Sequence, residues 1–232
     1  MIKKLVGKKK IFKLNSSYIS IYATIVLFIV LFLIGSVMFN GFFSGQVLAN
    51  LFIDNAYLLV LAIGQTFVII TGGIDLSVGS MIAFISMIVA SLLKNGVNPI
   101  LVMTFVLIVG IVFGTVQGIL VEKFDLHPWI VTLAGMFFAR GASYIISIDT
   151  ISIKDPLFTA ISGFRIPIGP GVSISVNVVV SLIVAAVAIF VLKYTRFGRT
   201  VYAIGGNENS AMLMGLNAGK AKILVYTVSG FC

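Results

Sequence analysis

Gly64–Ser80 reads GQTFVIITGGIDLSVGS, and its reading decides the fold. The stretch runs apolar from Phe67, breaks at Gly72-Gly73, places a carboxylate at Asp75, and resumes an apolar course from Met81 (MIAFISMIVASLL). Two glycines and an acid between apolar runs of membrane length mean either a tight turn at a bilayer edge or a helix broken within it. Both carry functional weight, because backbone breaks and acids cost free energy in hydrocarbon.

The surrounding composition supports the membrane premise. Hydrophobic residues make up 59% of 232 positions and charged residues 10%, with a mean hydropathy of +1.17. A soluble domain carries about 25% charged residues, so the chain is expected to be an all-α, polytopic membrane bundle. A single cysteine, Cys232, excludes an internal disulfide framework, and one histidine, His127, leaves no pair for a zinc motif. No metal ligands are expected.

Six segments suit bilayer-crossing helices, which need about 20 apolar residues: 19–39, 56–71, 78–93, 99–121, 128–148 and 176–194. The second and third are short and flank Gly72-Gly73-Ile74-Asp75. A seventh span begins near Ala221 and stops at the chain end, so the sequence reads as a fragment with six full spans and the start of another. Residues 1–18 hold Lys3, Lys4, Lys8, Lys9, Lys10 and Lys13. The apolar run behind them exceeds the 7–15 residues of a signal core and lacks a cleavage site, so it reads as a retained first span. Asn98-Pro99 and His127-Pro128 mark helix starts, and Ser77 is a candidate cap for the third span.

Lysine and arginine set the orientation. With the N-terminus inside, the inner pieces are 1–17, 72–77, 122–127 and 195–220 with their flanks. They hold twelve of the sixteen basic residues. The outer pieces hold Lys94, Lys154 and Arg165, and Arg140 lies within the fifth span. The net charge of +9 thus follows from topology and an anionic inner leaflet, and nucleic acid need not be invoked. Gly110, Gly114 and Gly118, and likewise Gly135, Ala139 and Ser143, repeat at four-residue spacing and suit close helix packing in lipid.

No catalytic constellation appears. Gly215-LNA-Gly219-Lys220-Ala221 has one residue too few between its glycines for a phosphate loop and lacks the Ser/Thr that holds magnesium. Asp75 is either a turn residue opening the third helix at the inner membrane edge or a polar element of a transport pathway where broken helices meet. Arg140 sits thirteen residues into its span, where a lipid-facing cation costs about 2.5–3.5 kcal/mol. It faces the bundle, a water-filled cavity or the outer interface, and serves either a structural partner or a passing solute. Asp75, Arg140 and Gln65 are the candidate pathway residues, with Gly72 and Gly73 as the structural break. The inner segment 196–223 is far longer than a turn, with Gly205-Gly206-Asn207 breaking it. Asn207 or Asn209 caps a short helix over 210–214, which reads either as a docking surface or as a helix lying on the bilayer. The outer segment 149–175, with Pro156, Pro167 and Gly169-Pro170-Gly171, reads as a polar cap. Trp129 is an interfacial aromatic anchor.

GQTFVIITGGIDLSVGS, PWIVTLAGMFFARG and RFGRTVYAIGGNENSAMLMGLNAGKAKILVY, in that order, resemble the permeases of bacterial sugar ABC importers of the ribose/galactose class. TLAGMFFARGASYIIS and ISIKDPLFTAIS look most like the galactofuranose permeases within it. The resemblance extends from about Asn40 to Cys232. It implies a pathway subunit in the bacterial inner membrane, paired with a second permease subunit. Two ATP-binding subunits would serve it from inside and a sugar-binding protein from the periplasmic or extracellular face. ATP would be used by those partners, and this chain would bind no cofactor. It implies further spans beyond the seven, and that the Ala203–Gly215 region is the ATPase-coupling loop, with Gly205, Gly206, Asn207, Glu208, Asn209, Ser210, Ala211, Met214 and Gly215 at the contact. The function implied is passage of a monosaccharide by alternating access. The alternatives are a secondary transporter or channel using Asp75 and Arg140, and an intramembrane enzyme, which the missing acid/base set disfavours.

Overall fold

Val68, Ile69, Gly72 and Gly73 end a helix in a way that explains much of the architecture. Gly73 N donates to Val68 O at 3.0 Å and Gly72 N to Ile69 O at 2.9 Å, with Gly72 at φ +79. This paired closure needs a left-handed residue, which glycine supplies without a steric penalty. Gly96 and Gly215 close two later helices with the same bond pair.

The computed structural model describes residues 19–232 apart from Asn40, Phe43 and the Ser20 side chain. The basic N-terminus expected over 1–18 lies outside the described residues. In chain order the elements are α1 (Ile19–Met38), α2 (Gly45–Ile70), α3 (Val78–Lys94), α4 (Pro99–Lys123), α5 (Pro128–Ile146) and α6 (Pro156–Gly163). A hairpin of β1 (Arg165–Gly169) and β2 (Val172–Ser175) follows, then α7 (Val176–Tyr194), α8 (Arg196–Gly206), α9 (Glu208–Leu213) and α10 (Ala218–Phe231). The chain divides into two units, Met1–Leu48 and Ala49–Cys232. In the first, α1 is apolar on all sides, and Phe32 and Phe42 meet with ring centroids 5.2 Å apart.

In the second unit α4 and α10 run antiparallel in close contact. A Cβ added at Gly110 or Gly114 would fall inside contact distance of the α10 backbone at Gly230 and Tyr226, so the glycine ridge on α4 is what lets α10 approach. The second ridge also packs: Ala139 and Ser143 are buried, and Gly135 lies against the Gln117 amide. A core of Phe67, Val68, Val121, Val131, Ala188, Val201, Val225 and Tyr226 joins α2, α4, α5, α7, α8 and α10. The α7–α8 corner is capped by Thr195, whose Oγ1 donates to Val191 O at 2.6 Å and accepts from Gly198 N at 3.2 Å.

Several boundaries differ from those the sequence predicts. The second span is longer than 56–71: the helix starts at Gly45, because Asn50, Asp54 and Asn55 interrupt the apolar run without breaking the helix. Asn55 Nδ2 bonds back to Leu51 O at 2.7 Å. Among the described residues, five helices are long and apolar enough to cross a membrane (α1, α2, α4, α5 and α7), rather than six. The third segment starts at Val78 as expected but, at 17 residues, falls among the shorter apolar helices. The seventh apolar helix begins at Ala218, capped by Asn217. Neither α8 nor α6 and the β1–β2 hairpin was expected as a regular element.

Candidate functional site

The extended stretch behind Gly72-Gly73 carries the site. It turns Asp75 back against the helices instead of leaving it in an exposed turn. Asp75 Oδ1 accepts from Ser77 N at 2.9 Å and from Ser77 Oγ at 2.6 Å. Asp75 Oδ2 accepts from Ser229 Oγ of α10 at 2.9 Å, and Gln65 Nε2 of α2 donates to that hydroxyl at 3.4 Å. Ser229 lies three turns into α10, about 16 Å along its axis at 1.5 Å per residue. The carboxylate is thus held by three neutral donors, two of them from Ser77 at the start of α3 and one from Ser229 on α10. Gln65 joins the same hydrogen-bond network through Ser229.

Ser77 does not cap α3. It stands at the N-cap position, but its side chain makes no capping bond and its hydroxyl donates to Asp75 instead. Gln117 Oε1 of α4 lies 3.5 Å from the same hydroxyl, and Gln117 Nε2 is buried without a partner. Rotating this amide by half a turn gives its NH2 group to Ser77 Oγ and completes a chain Gln117–Ser77–Asp75–Ser229–Gln65.

A half-open cavity of about 470 Å³ lies over this network. Asp75, Ser77, Gln117, Ser229, Asn177, Ser86 and Tyr57 supply polar groups, and apolar side chains such as Val60 and Ile82 form most of its wall. Few polar groups in an apolar wall is the usual makeup of a small-molecule site. The walls present hydroxyls, amides and one carboxylate, a set that can hydrogen-bond an uncharged polar solute.

Arg140 is not part of this site. It is exposed on α5, and the bond at its position is its backbone carbonyl accepting from Ser143 Oγ at 2.7 Å. Sequence reasoning missed Ser77, Gln117, Ser229 and Tyr226 as site residues. The available signal was a buriable amide and hydroxyl within apolar spans, the same criterion that singled out Asp75.

The segment 203–215 forms a second site on α8 and α9. Asn207, rather than Asn209, caps α9 by accepting from Ser210 N at 2.8 Å. The helix covers Glu208–Leu213, two residues earlier at its start than expected. Ala211 is buried, whereas Leu213 is 90% and Met214 70% exposed, so the short helix rests on one face and presents an apolar tip on the other. Lys222 of α10 contacts Glu208 and lies 3.6 Å from Glu122 at the end of α4. Gly205 abuts the carbonyl of Ile70, while a Cβ at Gly206 would meet open space. The sequence that falls short of a phosphate loop is a helix closure at Gly215 followed by the Asn217 cap, which accepts from Lys220 N at 2.9 Å.

Residues 47–232, including both sites, match the family described as branched-chain amino acid transport system / permease component. The chain belongs to this permease family. Three relatives of this family member are named as permeases. The inner membrane ABC transporter permease protein YjfF of Escherichia coli (strain K12) is 42% identical over 89% of the chain and 62% of the relative. The fructose import permease protein FruG of Bifidobacterium longum is 39% identical over 97% of the chain and 68% of the relative. The ribose import permease protein RbsC of Haemophilus influenzae is 36% identical over 88% of the chain and 63% of the relative. The chain thus spans a little over three-fifths of the length of most of these relatives. No solved structure matches it.

Proposed function

We propose that this permease-family chain forms part of the translocation pathway of an ATP-driven importer, and that its solute is a monosaccharide, galactofuranose or a related sugar. The observation that carries the reading is the cavity over Asp75. It has several hydrogen-bonding groups, apolar walls, and no lysine or arginine in its lining. A sugar needs donors and acceptors in transit more than it needs charge. The relatives named for fructose and ribose import support the solute class, and the likeness over TLAGMFFARGASYIIS supports galactofuranose within it.

In this reading α9 docks with its exposed Leu213 and Met214 on an ATP-binding subunit. A second permease subunit completes the pathway, and a sugar-loaded binding protein delivers the solute from outside. The lysine and arginine bias supports an inner-membrane location with the N-terminus cytoplasmic. ATP-driven movement at α9 alternates the access of the cavity, which requires a bistable bundle between the two sites.

The test is uptake by vesicles bearing the full-length permease with its partner subunits, measured against a panel of pentoses and hexoses with and without ATP. ATP-dependent accumulation of a furanose sugar is expected. Accumulation driven by an ion gradient without ATP hydrolysis would overturn the importer reading.

A further inference from the structure

The stretch Gly72–Ser77 lies between two separate cavities. The cavity of about 470 Å³ contains Asp75 and Ser77 in its wall. A second cavity of about 360 Å³, beside the α4–α5 turn and the start of α9, is lined by Thr71, Gly72 and Gly73 together with His127, Glu208, Lys222 and Tyr226. No residue lines both. The non-helical segment Gly72–Ser77 thus contributes to both walls, Gly72 and Gly73 to one and Asp75 and Ser77 to the other.

Two residues of α10 secure it. Tyr226 is buried, and its hydroxyl donates to Ile74 O at 3.4 Å. A Cβ at Gly73 would lie 2.8 Å from that hydroxyl, so the ring sits directly on the glycine backbone. One turn further along, Ser229 Oγ donates to Asp75 Oδ2 at 2.9 Å. From α5, Thr132 Oγ1 lies 3.4 Å from the Ile74 carbonyl, but it is closer to its own helix, at 2.9 Å from Pro128 O. The strand itself has no ladder of helical bonds, and it leaves α2 through the left-handed Gly72. Its position thus depends on a few side-chain bonds, each worth about 0.5–1.5 kcal/mol net. That is small enough to be exchanged within a transport cycle and large enough to hold a closed state.

We propose that Tyr226 and Ser229 are gating residues of the pathway, latching Gly72–Ser77 as the partition between the solute cavity and the vestibule beside the α4–α5 turn and α9. The proposal builds on the pathway reading above. Displacing the strand joins the two cavities, and α10 and the strand separate as the latch opens.

The experiment uses the full-length permease assembled with its partners in vesicles, with Cys232→Ser and a reporter Ile82→Cys in the cavity wall. Labelling by a membrane-impermeant maleimide is followed separately from each face. Tyr226→Phe and Ser229→Ala should each accelerate labelling from the α9 face several-fold and leave the rate from the opposite face unchanged. Ser229→Thr, which keeps the hydroxyl, should restore the slow rate. Equal rates in parent and variants, or equal acceleration from both faces, would overturn the assignment. Tyr226→Phe removes one oxygen and keeps the packing, so it reports even if Ser229→Ala fails to accumulate. Labelling requires neither sugar nor ATP, so the gate and the import reading stand or fall separately.

Discussion

The carbonyl oxygen of Ile70, the last residue of α2, lies against Gly205 of α8 with no room for a Cβ between them. Gly205 of α8 therefore packs directly on the end of α2, two residues before Gly72. Gly205→Val is expected to destabilise this contact by about 1–3 kcal/mol through overpacking and to reduce uptake while ATP hydrolysis continues. Gly206→Ala, which meets open space, should leave both unchanged. Parallel uptake and ATPase assays check the pair, and normal uptake by Gly205→Val would remove this contact from the coupling route.

Lys222 bridges Glu208 of α9 and Glu122 of α4. Their side chains are 22%, 38% and 26% exposed, so the stability contribution is modest, about 0.2–1 kcal/mol per exposed pair. If α9 docks as proposed, the larger effect is expected on coupling, since the bridge joins α9 to the α4–α10 pair. Lys222→Glu should lower sugar uptake per ATP hydrolysed, and the double variant Lys222→Glu/Glu208→Lys should recover part of it. A double variant no better than the single one would count against the bridge.

Asp75→Ala deprives the Ser77 and Ser229 hydroxyls of their acceptor. A buried polar group left unpaired costs about 1–3 kcal/mol, so lower thermal stability in detergent is expected together with loss of uptake. Asp75→Asn retains one accepting oxygen and should fall between parent and Ala in both. Equal uptake by all three would show that the carboxylate takes no part.

Gly114→Leu should be among the most damaging single changes. The added side chain meets the α10 backbone at Tyr226 and Gly230, which cannot shift as a flexible side chain can. Loss of membrane-inserted, monodisperse protein is the expected readout. A substitution to Leu at Gly141, where a Cβ has open space, serves as the comparison and should accumulate normally.

The helices were legible in the sequence where apolar runs end at strong signals. Pro99, Pro128 and the Val176–Tyr194 segment start or bound their helices as expected, and the ridge at Gly110, Gly114 and Gly118 announces a close helix contact. What the ridge cannot announce is its partner, which is α10. The extended strand was harder to read, because Gly72-Gly73 followed by an acid has the same local chemistry as a surface turn. The distinction lies in Ser229, 154 positions further along, and no local pattern encodes that pairing. For α8 the opposite holds. Val201 and Ile204 are buried while Tyr202 is exposed, an amphipathic pattern that was present but hidden within a segment expected to be a loop. Of the candidate site, Asp75 and Gln65 were found by their polarity, whereas Arg140 satisfies the same criterion and lies elsewhere.

Because α3 starts at Val78 inside the bundle, its N-terminal end opens beside Asp75. A helix N-terminus carries roughly half a positive elementary charge, and Ser77 N already bonds to the carboxylate. The negative charge of Asp75 is thus offset by peptide dipoles rather than by a lysine or arginine. The cavity comes close to electroneutrality while staying rich in hydrogen-bonding groups. A small ion entering it would shed its hydration for little return, whereas a polyol exchanges water for comparable partners. On the proposed import reading, this geometry offers sugars a route that ion gradients would not find favourable.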